Sequence, residues 1–338
     1  MPSRAHTLAV VTRADQLESS HAGRMAIASA SGDVLGIVGD PCEPTFPRSA
    51  IKLIQALPLV ETGAAQHFDL GDAELALACA SHSAAPVHVA TATRLLARAD
   101  LGPQCLACGA QLPIGTGEQR AFLRTGEAPT ALHNNCSGKH AGMLVTARHM
   151  QEDIEHYQLA HHPVQQRVRQ TIEEVVAIDL NGVIPGIDGC SLPNWALPLD
   201  RLAIAFARLI TGEGLTPSRH RAVQRLLEAC WREPVMMGGK DRFDTEVLTR
   251  FPGVVFIKTG AEGVYCGAIR SLGIGFAVKV TDGAKRAAEM AVGTILSRFL
   301  DEAADLGQAM VLHNAAGIAV GDIRPGNALT SVLEGIRV

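Results

Sequence analysis

The sequence predicts a mixed α/β (α+β) fold: an antiparallel sheet built from both ends of the chain, flanking helices, and an inserted helical middle. Three observations carry this. Short apolar runs bounded by turn residues cluster near the N-terminus and again after Pro252. The stretch between them reads mostly as helix. A long amphipathic helix, Ala284–Glu302, follows the last of those strands. No internal repeat, low-complexity tract or long linker interrupts the chain. Residues 1–338 are therefore expected to form a single unit, with a helical subdomain at about 65–250 inserted into the sheet part.

Leu8–Thr12 has the composition of a strand. Arg24–Ser29 and Val34–Val38 flank Ser31-Gly32-Asp33, a hairpin turn. A loop with Pro41, Pro44 and Pro47 then delivers a helix whose apolar face is Ala50, Leu53, Ile54 and Leu57, at i, i+3, i+4 and i+7. Thr45 is the expected N-cap and Pro58 the expected end. Asp72–Ala80 suits a helix or a buried strand and runs into Ser81-His82-Ser83; Pro86–Ala99 is the next helix. After the Gly/Pro/Cys loop Gln104–Pro113, the polar loop His133–Gly142 opens a helix reaching about Met150. His156–Val176 is amphipathic, with His161 and His162 read as surface residues. Val183–Pro198 is a loop. Asp200–Thr211 and Ser218–Glu228 are helices, and Asp241–Asp244 opens another after Gly238-Gly239-Lys240. Val254–Lys258, Val264–Arg270 and Ile274–Val280 are strands parted by Gly-rich turns.

Composition narrows the function. Hydrophobic residues are 47% of the chain, enough for a sizeable core, while 19% charged residues and a net charge of −4 give no basic footprint for nucleic acid or an anionic membrane. Aromatics at 4% offer no stacking platform for bases. No run of about 18 apolar residues predicts a membrane span. Met1–Ser20 is polar and lacks an apolar h-region, and the eight cysteines then read as reduced thiols of a cytoplasmic protein.

Chemistry concentrates in a few places. Ser49 and Lys52 make a Ser-x-x-Lys pair at a predicted helix N-terminus, where a deprotonated lysine can activate a serine. Lys258-Thr259-Gly260 closes a strand, and Ser81-His82-Ser83 stands between the two in sequence. Cys136 and Cys190 each sit in a loop beside polar groups and a glycine. Two thiolates are half of a tetrahedral zinc site, with His133, His140, Asp188 or Lys139 to complete it, or else two unrelated buried thiols. Cys105-Leu-Ala-Cys108 lacks a second pair and reads as structural.

Taken together, Pro47-Arg-Ser-Ala-Ile-Lys52, Cys79-Ala-Ser-His-Ser83, His133-Asn-Asn-Cys-Ser-Gly-Lys-His-Ala-Gly142, Gly186-Ile-Asp-Gly-Cys190, Arg242-Phe-Asp-Thr245 and Lys258-Thr-Gly-Ala-Glu-Gly263 resemble the rhizobial-type (class 3, asparaginase II) L-asparaginases. The resemblance implies a serine β-lactamase-like fold that hydrolyses L-asparagine to L-aspartate and ammonia. It implies two serine–lysine tandems, Ser49 with Lys52 and Ser81 with Lys258. It further implies zinc held by Cys136, Lys139 and Cys190, with Asp188 close by, and a homodimer. Lys52 must be neutral to act as base, which burial and a nearby Lys258 would favour. Zinc is expected to position the substrate, and Arg48 to hold its α-carboxylate. The competing enzyme is a β-lactamase or D-Ala-peptidase relative, which shares Ser-x-x-Lys and Lys-Thr-Gly. A zinc-stabilised binding protein is the reading outside enzymes.

Overall fold

The computed structural model describes residues 6–337. Its strands are β1 (Thr7–Arg13), β2 (Gln16–Ser29), β3 (Val34–Val38), β4 (Gly186–Ile187), β5 (Pro193–Asn194), β6 (Val255–Gly260), β7 (Val264–Ile269), β8 (Ile274–Val280), β9 (Met310–His313) and β10 (Ala319–Pro325). The first seven helices are α1 (Lys52–Glu61), α2 (Ala64–His67), α3 (Asp72–Ala78), α4 (Pro86–Ala97), α5 (Thr116–Leu123), α6 (Ser137–His149) and α7 (Pro163–Val176). The rest are α8 (Leu199–Thr211), α9 (Pro217–Arg232), α10 (Pro234–Met237), α11 (Phe243–Arg250), α12 (Lys285–Phe299) and α13 (Asn327–Gly335). No helix among the described residues is long and apolar enough to cross a membrane.

Two compact units divide the chain. The first takes residues up to Ala50, Leu197–Ala207, and the chain from Thr259 on. Its strands run β7-β8-β2-β1-β10-β9, with β3 also on β2, so the sheet is built from both ends of the chain as expected, the N-terminal strands lying between C-terminal ones. Strand β1 pairs with β10, and β2 with β8, in antiparallel fashion. The long β2 pairs with β1 through its first half and with β3 and β8 through its second. Strands β7 and β8 are buried along almost their whole length. Helices α12 and α13 pack on the sheet, and the Leu199–Ala207 part of α8 presses on β8. That last contact is backbone to backbone: a Cβ at Gly275 would lie 2.1 Å from Ala203 O and 2.4 Å from Ala207 N.

The second unit, Ile51–Ala196 and Arg208–Lys258, is built around α1. Eight consecutive residues of α1, Lys52 to Leu59, are buried, and α3, α6, α7 and α9 surround it. A helix apolar on every side has nowhere else to go. Helix α6 is equally enclosed, and its Gly138 lets it meet α3, because a Cβ there would fall 2.2 Å from Leu77 O.

Several local expectations need correction. Pro58 does not end α1, which continues to Glu61. Only one amide is missing there, and Pro58 O is reused by Thr62, through its N–H at 3.1 Å and its hydroxyl at 2.7 Å. Thr45 caps no helix; it bridges Leu197 and accepts a hydrogen bond from Arg24 at 3.0 Å. His162 is buried rather than exposed, with Nδ1 accepting from Val164 N–H to cap α7. The helix predicted from His156 therefore starts at Pro163. Asp72–Ala80 resolves as the helix α3. Helices α5 and α13 and the hairpin β9–β10 have no counterpart in the sequence reading. Gly275→Ala should destabilise the protein by about 1–3 kcal/mol in thermal or denaturant unfolding, since backbone atoms cannot step aside as a side chain would.

Candidate active site

The Ser49 turn belongs to the first unit. Residues Arg48–Ile51 form a 3-10 turn, not the first turn of an α-helix, and Lys52 opens α1 directly after it. Arg48 has φ of 53°, a left-handed conformation unusual for a side-chain-bearing residue, and Ala50 N–H closes the turn on Pro47 O at 3.0 Å. The half-buried Ser49 is thus presented at a sharp corner. Three anchors fix that corner. Arg24 of β2 donates to Glu43 O at 2.7 Å and to Thr45 Oγ1, pinning the proline-rich loop. The Thr45–Leu197 bridge holds the next residues. Gly260, the end of the Lys-Thr-Gly segment, lies against the turn, where a Cβ would meet Pro47 O at 2.7 Å and Ala50 N at 3.3 Å.

The second unit holds the other predicted residues, in two neighbouring clusters. In the first, Ser81 follows α3 and is fixed by its own N–H to Met237 O at 3.0 Å, so it does not cap a helix. Its hydroxyl receives Lys52 Nζ at 3.1 Å and Lys258 Nζ at 3.0 Å. Both lysines have 0% exposure. Lys52 also donates to Ala80 O and, at 3.4 Å, to Asn135 O.

Electrostatics follow from that burial. Desolvation pushes Lys258 down to about 7; Asp244 opposes this, and Lys52 and Arg242 reinforce it. Desolvation also lowers Lys52, against the partial support of the Cys136 sulfur. A hydroxyl has one proton to give. Between two amines Ser81 can donate to a neutral one while accepting from a charged one, so the trio can pass a proton through Ser81 Oγ.

The thiol pair forms the second cluster. Cys136 is the N-cap of α6, Lys139 is its third residue, and Cys190 comes from the β4–β5 loop, where its N–H donates to Asp188 Oδ2 at 3.3 Å. All three are buried, and Lys139 Nζ stands 3.3 Å from Cys190 Sγ. A hydrogen bond from Cys190 holds the Cys136 thiol well below its usual range, against burial and with help from Lys52 and Lys139. The same bond, together with burial, pushes Cys190 up. Burial works against the Lys139 ammonium, but the Cys190 and Cys136 sulfurs and Asp188 outweigh it and raise Lys139. Among the described residues no group of three or more His, Cys, Asp and Glu side chains is set for a metal. The pair becomes a ligand set only when the Lys139 amine is counted, and two sulfurs with a nitrogen suit a borderline-soft ion such as zinc.

Of the other ligand candidates, His133 and His140 each use Nδ1 in a hydrogen bond, while the buried Nε2 of His140 has no hydrogen-bond partner. His140 Nδ1 is 2.6 Å from Tyr157 OH, and His133 Nδ1 accepts from Thr130 N–H at 3.1 Å. Sequence reasoning missed the Ala80 and Asn135 carbonyls that receive Lys52. It also gave no part to His82, whose ring is fully buried between Ala84 N–H at 3.2 Å and Ser137 Oγ at 2.9 Å. Their motifs were visible, but partners 28 to 83 residues away along the chain were not.

The solved structures similar to the chain include two β-lactamases. One is a class C β-lactamase from Rhodobacter sphaeroides, with 14% identity and a TM-score of 0.40 over 79% of this chain and 91% of that one. The other is a β-lactamase from Mycobacterium bovis, with 12% identity and a TM-score of 0.39 over 81% of this chain and 94% of that one. No curated protein matches the sequence. The L-asparaginase II family matches residues 9–325. With nearly its whole length covered, the chain belongs to the L-asparaginase II family, hydrolases of the asparagine side-chain amide.

Proposed function

We propose that the chain hydrolyses L-asparagine to L-aspartate and ammonia by a serine–lysine mechanism, with Ser49 as nucleophile and the Lys52–Ser81–Lys258 cluster as its base. The observation that carries this is the pair of fully buried lysine amines on one serine hydroxyl, one of them brought to about 7. A lysine at about 7, as Lys258 is, is unprotonated for much of the time near neutral pH, which solvated lysines are not.

Ser49 Oγ attacks the side-chain amide carbon, and its proton passes to Lys52, three residues on in the chain. The tetrahedral intermediate collapses with cleavage of the C–N bond. Ammonia leaves with a proton returned from the lysine cluster, and an aspartyl ester remains on Ser49. Water, deprotonated by the same cluster, opens the ester and restores the serine. Ser81 lets Lys52 and Lys258 exchange the proton between the two half-reactions. Arg48 and Asp188 supply opposite charges suited to the α-carboxylate and α-ammonium of the amino acid. Cys136, Lys139 and Cys190 would hold a zinc ion, whose positive charge would orient and polarise bound substrate. In the metal-free protein Lys139 carries a proton that a metal must displace, so acid competes with metal at this site.

Ammonia release from L-asparagine tests the reading, with L-glutamine and a chromogenic cephalosporin alongside. Ser49→Ala should abolish release, and Ser81→Ala should lower kcat by roughly 100-fold or more. Turnover of the cephalosporin alone, or an active Ser49→Ala protein, would overturn it. The rate should rise with pH between about 6 and about 8 as Lys258 loses its proton. A flat profile across that range counts against the lysine base.

Stability carries the same signature. The Lys258 value falls from 10.5 to about 7 on folding, so the unfolded chain binds more protons in that window and wild-type stability gains as pH rises from about 7 to 10.5. Lys258→Met should lose that pH-dependent gain in stability and be inactive.

A further inference from the structure

His82 is used by none of the steps above, yet it is the most completely engaged side chain near them. Its ring is fully buried, and both nitrogens are committed. Ala84 N–H points at Nδ1 from 3.2 Å, so Nδ1 is the acceptor and the proton sits on Nε2. Nε2–H then donates to Ser137 Oγ at 2.9 Å, and the Ser137 hydroxyl donates onward to Leu132 O at 3.1 Å. Burial and the surrounding His88, Lys52 and His133 keep this ring neutral. The ring stacks on His88 at 5.0 Å, and His88 repeats the same pattern, accepting from Ala85 N–H and reaching Val235 O at 2.9 Å.

The two ends of this chain of bonds matter. His82 follows Ser81 directly, and Ser137 follows Cys136 directly. The backbones meet as well, His82 N–H donating to Asn135 O at 3.3 Å, the same carbonyl that receives Lys52 at 3.4 Å. One imidazole therefore spans the Ser81 loop and the Asn135–Ser137 turn. A rigid ring with two fixed bonds sets a distance; a flexible side chain would not.

We propose that His82 is a positioning residue for the amide hydrolysis: its Nε2–H bond to Ser137 Oγ fixes the separation of the Ser81 loop from the Asn135–Cys136 turn and so holds Lys52 and Ser81 in reactive register. This rests on the serine–lysine reading. The Nε2–H bond carries the effect, while the Nδ1 bond only orients the ring. Gln places an amide N–H where Nε2 stands, and Asn reaches only as far as Nδ1.

The test is a set of variants assayed on L-asparagine beside their melting temperatures. His82→Asn should lower kcat by roughly 10- to 100-fold with a much smaller change in KM, as expected of a small misplacement. His82→Gln should recover most of that loss. Ser137→Ala should resemble His82→Asn, and the double variant should be no worse than either single one, because both remove the same bond. Additive losses, or a His82→Gln protein as slow as His82→Asn, would overturn the proposal. So would kcat losses that merely follow the fraction unfolded. Ring-nitrogen NMR of the wild type gives a readout independent of turnover: a neutral Nε2–H tautomer is expected, and an Nδ1–H tautomer refutes the bond. If that signature is present and the wild type releases no ammonia, the serine–lysine reading fails while the ring geometry stands.

Discussion

Two lysine side chains withdrawn from water and aimed at one hydroxyl are the constraint on which the second unit depends. Each would be far more comfortable solvated, and the fold keeps them buried by making them part of its most enclosed segments. Lys52 is the first residue of α1, a helix buried for eight residues in succession. Lys258 sits in β6 after Val255, Phe256 and Ile257, all buried. Carbonyls and the Ser81 hydroxyl replace some of the lost water, and no carboxylate directly hydrogen-bonds Lys52 in the contacts described above. Removing water without adding an equal negative charge lowers an amine's hold on its proton.

The thiol cluster uses the opposite device. Lys139 is as buried as Lys52, but it has the Cys190 sulfur at 3.3 Å and Asp188 in its field, and so it holds its proton more tightly than a free lysine. Two buried lysines near the starts of two central helices are thus shifted in opposite directions, Lys52 down because burial dominates and Lys139 up because the two sulfurs and Asp188 outweigh burial. The same contrast explains why the amine of Lys139 would be available to a metal only in exchange for a proton.

Much of this was legible in sequence, and the limits have physical reasons. The sheet built from both termini was visible because β2, β6, β7 and β8 are short apolar runs between turn residues. The hairpin β9–β10 was not, since Met310, Val311 and Ile318 are exposed and no apolar face alternates along it; Asn314-Ala-Ala-Gly317 between the two runs was the turn signal available. Ser49-x-x-Lys52 was read as one helical turn, and Arg48 in the left-handed region makes it a corner instead, something no propensity conveys. That Ser81 takes both lysines at once, with 29 and 177 residues separating it from them in the chain, is a property of packing that spacing cannot reveal. The cysteines were ambiguous for the same reason: only the approach of Lys139 to Cys190 distinguishes a cluster from two buried thiols.

The pairing of early strands with late ones in the sheet has a consequence for the order of folding. Strand β2 pairs through Gly23–Ser29 with Ile274–Val280, and β1 pairs with β10, so the first two strands gain these neighbours only when the last quarter of the chain exists. Helices α1 to α7, by contrast, find their partners largely within one continuous stretch. Loop closure over some 250 residues is slow compared with local helix docking. During synthesis the chain therefore carries β1 to β3 as a part-formed, apolar sheet with unpaired edges while its helical portion is already made. Unpaired edges of that kind are open to mispairing with another chain until the last strands arrive.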